Sequence, residues 1–327
     1  MTSTASPPAV GLPLLLVEVE VVRVDRVSPS FVRLELASPA LADFGVEGPR
    51  YDQRIKLIFP GDGPLPSFDG VDEAWLHAWY ERPAAERGHL RTYTVRDVLG
   101  AGADTRLVVD LVLHPGDGPC GPGAAWAARA QVGGRLAIMA PRAGVPFGGI
   151  EFVPGTADRL LLVGDETAVP AVAGILAGLD PGARGAAFLE VPVSGDVQSV
   201  EHPEGVSVTW LPRDGAPRGV ALHQAVLDHL GAPVVVREVD EVDPDLWETP
   251  TYSSSGEEIG GEIGGEIGGE IGGAVVVGHD FDGLYAWIAG EAKVVTGLRR
   301  ALVNELAIDR RQVAFMGYWR VGVAMKS

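Results

Sequence analysis

Polar and apolar residues alternate through the first half of the chain. Residues 17–36 read VEVEVVRVDRVSPSFVRLEL. A period near two places the apolar side chains on one face of a strand. Similar runs follow at 54–59, 90–98, 106–114 and 135–140, separated by Gly- and Pro-rich turns such as 60–66 and 115–123. Several such strands, with one helix expected over 124–131, predict an antiparallel β-barrel or sandwich. The rhythm changes near Pro154. Residues 159–163 (RLLLV) are continuously apolar, as expected of a strand covered on both faces. A turn at Gly164-Asp165-Glu166-Thr167 then leads into a helix expected over 168–179, with Pro170 tolerable in its first turn. Further strands are expected at 187–191, 206–211, 274–277, 284–289 and 313–319, and helices at 221–230 and 291–305. Strand–helix alternation predicts a parallel sheet with helices on its faces. The chain of 327 residues therefore divides into two expected domains, 14–154 and 155–327.

Low complexity interrupts the second half. Residues 258–273 are four copies of Glu-Ile-Gly-Gly. So much glycine offers little core and a large ordering cost, so 238–273 reads as a flexible, acidic insertion in a loop. That segment changes the meaning of the charge. The chain has 26 Lys+Arg against 44 Asp+Glu, a net −18. This argues against a nucleic-acid binder, which needs a basic face. Yet 14 of the acids, and no Lys or Arg, fall between Glu238 and Ala292, which leaves −4 for the rest. A nearly neutral body is compatible with a cationic pocket.

Other chemistry is limited by composition. The single cysteine, Cys120, excludes an internal disulfide, a cysteine zinc site and an all-cysteine iron–sulfur cluster. Any redox work would use a bound cofactor. The histidines show no HxxxH or HExxH spacing, and no GxSxG occurs, which argues against a serine hydrolase. There is no Lys or Arg before Arg23, and the apolar run 9–17 contains Pro13 and meets Glu18 and Glu20. A signal peptide or membrane span is therefore not expected, and the expected location is the cytoplasm.

Four segments carry candidate chemistry. In Arg91-Thr92-Tyr93-Thr94, alternation sends Arg91 and Tyr93 to one face and Thr92 and Thr94 to the other. A flavin site needs a cation for its pyrophosphate, an aromatic for its ring and a small hydroxyl near N5. Arg-x-Tyr-Thr also arises by chance, and a strand tyrosine is usually core packing. Gly121 to Ala127 runs from a glycine turn into a helix, whose leading N–H groups suit a phosphate. It could also be a turn that buries Trp126. Gly164 to Pro170 lies between strand and helix, where open α/β sheets bind ligands, but it lacks the GxGxxG fingerprint. Asp165 or Thr167 could act only as a helix cap. Gly317 to Gly322 ends the last strand, with Trp319 beside Arg320.

The order and spacing of these segments resemble the siderophore-interacting protein family, flavin-dependent ferric-siderophore reductases of the ferredoxin–NADP reductase superfamily. The resemblance rests on Lys56-Leu57-Ile58-Phe59-Pro60, Arg91-Thr92-Tyr93-Thr94, and His114 followed by Gly121-Pro122 and Trp126-Ala127. It continues in Gly164 to Pro170, Ala289-Gly290-Glu291 and Tyr318-Trp319-Arg320. It implies a flavin-binding barrel followed by a nicotinamide-binding α/β domain, with FAD and NADPH or NADH as cofactors. By resemblance, Arg91 would pair with the FAD pyrophosphate, Tyr93 would pack on the flavin ring and Thr94 would approach N5. His114 and the turn at Gly123, Ala124 and Ala125 would hold the rest of the FAD. Gly164, Asp165, Glu166, Thr167, Gly290 and Glu291 would line the nicotinamide site, and Arg213 is a candidate partner for a 2′-phosphate. Lys56, Arg142 and Arg320 are candidates for a pocket that attracts an anionic ferric siderophore. The family usually has a serine in the stretch occupied here by Gly123-Ala124-Ala125, which leaves binding to backbone amides, and the segment from His114 to Gly121 is longer than usual. A monomer is expected. A general flavin reductase or electron-transfer protein on the same fold, and a siderophore binder without turnover, are alternatives at this level.

Overall fold

The computed structural model describes residues 12–113 except 62, 64, 66, 67, 69, 70, 72 and 73, and also 121–232, 247–249 and 281–322. His114, the strand expected over 274–277 and the Glu-Ile-Gly-Gly repeat lie outside the described residues.

The alternating segments form seven strands: β1 (Leu14–Arg26), β2 (Phe31–Ala37), β3 (Arg54–Phe59), β4 (His89–Thr94), β5 (Asp97–Leu99), β6 (Arg106–Val112) and β7 (Arg135–Pro141). All pair antiparallel, in the order β4-β3-β7-β1-β2-β6-β5. The two edge strands, β4 and β5, are consecutive in the chain and separated only by Val95 and Arg96. The Arg96 N–H donates to the Val108 carbonyl at 2.8 Å, which carries the β5–β6 pairing into the short β4–β5 connection, so the sheet curls into an open barrel. Val19, Val21, Leu34, Ile55, Val109 and Ile138 fill its interior. Across β1 and β7 the outward positions carry charge instead, with Arg135 against Glu18 and Glu20.

Two helices in this half were not expected: α1 (Trp75–Glu81) and α2 (Ala84–Arg87). Trp75 and Trp79, one turn apart, cover an outer apolar patch of Leu16, Ile58, Leu90 and Ala137. Continuous apolar character at Ile58 and Leu16 therefore reflects burial on both faces. The third helix, α3 (Pro122–Ala127), is shorter than expected and starts one residue after Gly121, with Pro122 in its first turn.

The second half holds β8 (Arg159–Gly164), β9 (Gly185–Val191), β10 (Val206–Pro212), β11 (Trp247–Glu248), β12 (Leu284–Glu291) and β13 (Val313–Trp319). Their order is β10-β9-β8-β12-β13-β11. Five are parallel, and the short β11 runs antiparallel to β13. Helix α4 (Val169–Gly178) covers one face, and α5 (Val220–His229) and α6 (Ala292–Arg299) cover the other. The helix expected over 291–305 is α-helical only to Arg299 and continues as a π-helix over Arg300–Glu305. Strand order reverses between β8 and β12, which opens a crevice at their C-terminal ends.

Specific polar bonds join the two halves. Ser28 Oγ and the Ser30 N–H donate to Asp196 at 2.6 and 2.8 Å. Buried Asp52 accepts from the N–H groups of Glu151 and Phe152 and from Trp287 Nε1 at 3.0, 3.1 and 3.2 Å. Phe31 and Phe152 pack into the same apolar cluster as Leu162 and Trp287. No helix among the described residues is long and apolar enough to cross a membrane.

Candidate functional site

On the barrel, strand register decides which side chains meet. Tyr93 lies opposite Ile55, Arg91 opposite Leu57 and Thr92 opposite Lys56. Arg91 and Tyr93 therefore share one face and Thr92 takes the other, as alternation requires. Tyr93 is half-buried and meets Phe59 edge-on at 5.9 Å. Its hydroxyl presses on the first turn of α3. A Cβ at Gly123 would lie 2.1 Å from that oxygen, so glycine there permits the close approach. Arg91 donates from Nη1 to the Leu90 carbonyl at 2.6 Å, and burial lowers its pKa. Thr94 is buried at the end of β4, Ala124 is buried near Trp126, and Ala125 is half-buried.

On the opposite face, Lys56 Nζ donates to Thr92 Oγ1 at 2.7 Å. Both line a cavity of about 210 Å³ with Arg54, Ile55, Met139, Phe147, Gly148 and Gly149. Burial and the neighbouring Arg54 charge lower the Lys56 pKa. Arg54 pairs with Glu151, and its guanidinium lies 4.2 Å over the Trp247 ring. Trp247 in turn stacks on Tyr318 at 5.8 Å. One wall of the cavity thus reaches across the seam to the second sheet.

The three expected substrate cations are not gathered there. Arg142 does not line this cavity. It donates to Asp43 at 3.0 Å and to the Leu12 and Leu14 carbonyls at 3.2 and 3.3 Å, which anchors the start of β1. Arg320 follows β13 and is half-exposed. Arg54, which the sequence reading did not single out, is the cation beside Lys56. Its position directly before an alternating apolar residue on the same strand was the available signal.

At the open end of the parallel sheet, the Gly-Asp-Glu-Thr turn connects β8 to α4. A Cβ at Gly164 would lie 2.5 Å from Ala168 Cβ, so the turn can be this tight only with glycine. Asp165 is fully buried. It accepts from the Thr167 N–H at 2.8 Å, Thr167 Oγ1 at 2.6 Å, the Glu291 N–H at 2.7 Å and Trp319 Nε1 at 2.7 Å. Burial, with the Glu166 charge beside it, pushes its pKa up to about 7. Gly290 has φ +148, and a Cβ there would lie 2.7 Å from the Asp165 carboxyl carbon. Glu291 caps α6 by accepting from the Lys293 and Val294 N–H groups at 2.7 and 3.2 Å.

Arg213 sits within this framework. It donates to Glu166 at 2.8 Å and to Glu190 at 3.2 Å, and Glu190 also accepts from the Gly219 N–H at 2.9 Å. Burial opposes the Arg213 charge, but the bonds and charges of Glu166 and Glu190 outweigh it and raise the pKa. The same cause, burial, raises Glu190. The sequence reading missed Arg218, whose guanidinium lies 4.7 Å over the Trp319 ring and 3.7 Å from Glu166. It also missed the link from Trp319 to Asp165. Two residue types that favour stacking and hydrogen bonding at strand ends were visible, but not their meeting.

Arg91 and Tyr93 share one face of β4, and Tyr93 touches the first turn of α3. A cation and an aromatic ring on one face fit a ligand that combines phosphate with a flat heteroaromatic ring. Among the described residues, no group of three or more His, Cys, Asp or Glu is arranged to hold a metal.

Comparison with known proteins agrees with this chemistry. A "Siderophore-interacting FAD-binding domain" matches residues 20–145 and a "Siderophore-interacting protein" domain matches 157–322. A Mycobacterium tuberculosis relative is 37% identical over 200 residues, which are 60% of this chain and 65% of that protein, so the match spans just under two thirds of its length. Ferric vibriobactin reductase ViuB of Vibrio cholerae is 27% identical over 305 residues, 92% of this chain and 88% of that one. The NADPH-dependent ferric-chelate reductase of Escherichia coli is 30% identical over 206 residues, 60% and 71% of the two chains. Among solved structures, a siderophore utilization protein from T. fusca matches with TM-score 0.63 and 27% identity over 96% of each chain. The ferredoxin reductase in carbazole 1,9a-dioxygenase, at 17% identity and TM-score 0.52 over 95% and 71%, shares the fold.

Proposed function

Because the chain belongs to the siderophore-interacting protein family, with an FAD-binding domain in its barrel, we propose that it passes electrons from NADPH or NADH through FAD to Fe(III) held by a siderophore, with release of Fe(II). The observation that carries this reading is the meeting of β4 with α3: the Tyr93 hydroxyl presses on the first turn at Gly123, and Arg91 shares the Tyr93 face of the strand. Two relatives are named as reductases of ferric chelates, which supports the same chemistry.

In this reading Arg91 holds the FAD pyrophosphate, with His114 and the backbone of Gly123, Ala124 and Ala125. Tyr93 packs against the flavin ring and Thr94 offers its hydroxyl. Gly164, Asp165, Glu166, Thr167, Gly290 and Glu291 frame the nicotinamide end. When bound, FAD supplies two-electron acceptance and one-electron release, so one nicotinamide reduces two Fe(III) and frees one proton. The chain's own contribution is placement: hydrogen bonds to Asp52 and Asp196 join the two halves, and this reading has them bring the two binding regions together. Lys56 and Arg54 attract an anionic chelate at the cavity on β3. Arg213 is engaged by two carboxylates, so a 2′-phosphate gains little there and NADH should serve at least as well as NADPH. The proposed setting is the cytoplasm, where reduced nicotinamide is available, with the chain acting as a monomer.

The test is anaerobic. The protein is loaded with FAD, reduced with NADH or NADPH, and then mixed with a panel of ferric siderophores beside a ferrous-iron trap. Flavin bleaching followed by reoxidation and trapped Fe(II) is expected. Absence of FAD binding overturns the proposal. Reduction of dyes with no preference for ferric chelates would make the protein a general flavin reductase.

A further inference from the structure

Asp165 stands at a junction of three strand ends. It follows β8, receives the Glu291 N–H from the end of β12, and receives the Trp319 indole from the end of β13. Its carboxylate accepts four hydrogen bonds in all, two from Thr167 and one each from the other two residues. Three of the donors are N–H groups, which cannot reverse their role. Gly290 packs on the carboxyl carbon, so the turn between β12 and α6 is moulded to this carboxylate. Trp319 is held on a second side by the Arg218 guanidinium, itself beside Glu166.

We propose that Asp165 is a positioning residue for hydride transfer: it clamps the Trp319 indole, and that ring forms a wall of the nicotinamide site. A residue with only a capping role would need Thr167 alone. A carboxylate that also grips an indole from the far side of the strand-order switch sets the shape of the crevice. The inference rests on the functional reading above, which places the nicotinamide at this end of the sheet. It goes beyond that reading by assigning Trp319 and its anchor a role in shaping the site.

The test uses the full-length FAD-loaded protein and two variants, Asp165→Asn and Trp319→Phe. In a ¹H–¹⁵N spectrum the indole peak lost in Trp319→Phe identifies Trp319. In Asp165→Asn that peak should move upfield, while the Trp287 indole, bonded to Asp52, stays in place. The apparent dissociation constant for NADH in anaerobic flavin reduction should rise about tenfold in either variant, the lower end for one charge-assisted hydrogen bond. FAD affinity should be unchanged, because its pyrophosphate and ring are held on the barrel. The double variant should be no worse than either single. Trp319→Phe keeps the folded backbone contacts, so it decides the matter even where Asp165→Asn is too unstable to purify. An unmoved Trp319 peak in Asp165→Asn, multiplying effects in the double variant, or wild-type reduction by Trp319→Phe overturns the inference alone. A wild type that takes no electrons from either nucleotide overturns the proposed function and this role with it.

Discussion

Lys56 on the barrel wall and Arg213 at the end of the parallel sheet have opposite company. On β3 and β4, the Lys56 ammonium bonds to the Thr92 hydroxyl and Arg91 to the Leu90 carbonyl, and burial lowers the pKa of both. At the sheet end, Arg213 is gripped by Glu166 and Glu190 and its pKa is raised. Four buried carboxylates, at Asp165, Glu166, Glu190 and Glu291, surround this end. Lys56, bonded to a neutral hydroxyl, keeps its attraction for an incoming anion. A cation enclosed by carboxylates is part of the framework and has little left to offer. The cavity at Lys56 is therefore suited to an anionic chelate, and the sheet end to a shaped crevice.

The comparison breaks most readily at the framework. Glu190→Ala leaves Arg213 and the Gly219 N–H with one partner fewer in a buried site, and should cost about 3–5 kcal/mol in urea unfolding. A loss below about 1 kcal/mol, the value of an exposed pair, would show that Arg213 is not part of the framework. Next in size is Gly290→Ala, which forces an L residue into φ +148 against the Asp165 carboxyl. About 1–3 kcal/mol should be lost. Nucleotide reduction should weaken while FAD binding persists, and equal loss of both would place the crevice and the flavin site in one unit.

On the barrel the effects are smaller and depend on charge. Lys56→Met should weaken capture of anionic ferric chelates about tenfold, or about 1.4 kcal/mol, and leave neutral chelates unaffected. The difference should shrink as salt is raised. Because burial lowers the Lys56 pKa, its charge is present at low pH and is lost at a lower pH than for an ordinary lysine. Capture should fall off there as pH rises, and Lys56→Arg should remove that fall. A flat pH profile in the wild type would exclude Lys56 from the pocket. The smallest effect is expected at an exposed pair. Glu18→Gln loosens a 2.5 Å contact with Arg135, yet stability should change by no more than about 0.5 kcal/mol by thermal melting.

Much of this architecture was legible in the chain. Strands at 54–59 and 313–319 coincide with β3 and β13, because alternation or continuous apolar character is bounded there by turn-forming residues. Helix α1 was not legible. It spans only Trp75–Glu81, and its pattern of two tryptophans one turn apart has meaning only above the patch it covers. Within the site, the Arg91, Tyr93 and Thr94 faces followed from strand period. Arg142 and Arg213 looked like available cations, but the folded chain gives them carboxylate partners at Asp43, Glu166 and Glu190.

The amino-acid sequence by itself determined the kind and order of the elements, the barrel before the parallel sheet, and the family to which they belong. Periodicity and turn chemistry act between near neighbours, so they can be read along the chain. Only the tertiary structure decided which charges remain available and which build the frame. Asp165 and Trp319 are 154 residues apart and meet because β8 and β13 flank β12 in one sheet. Burial then makes each such meeting matter, since a buried charge must find its partner at whatever distance along the chain that partner lies.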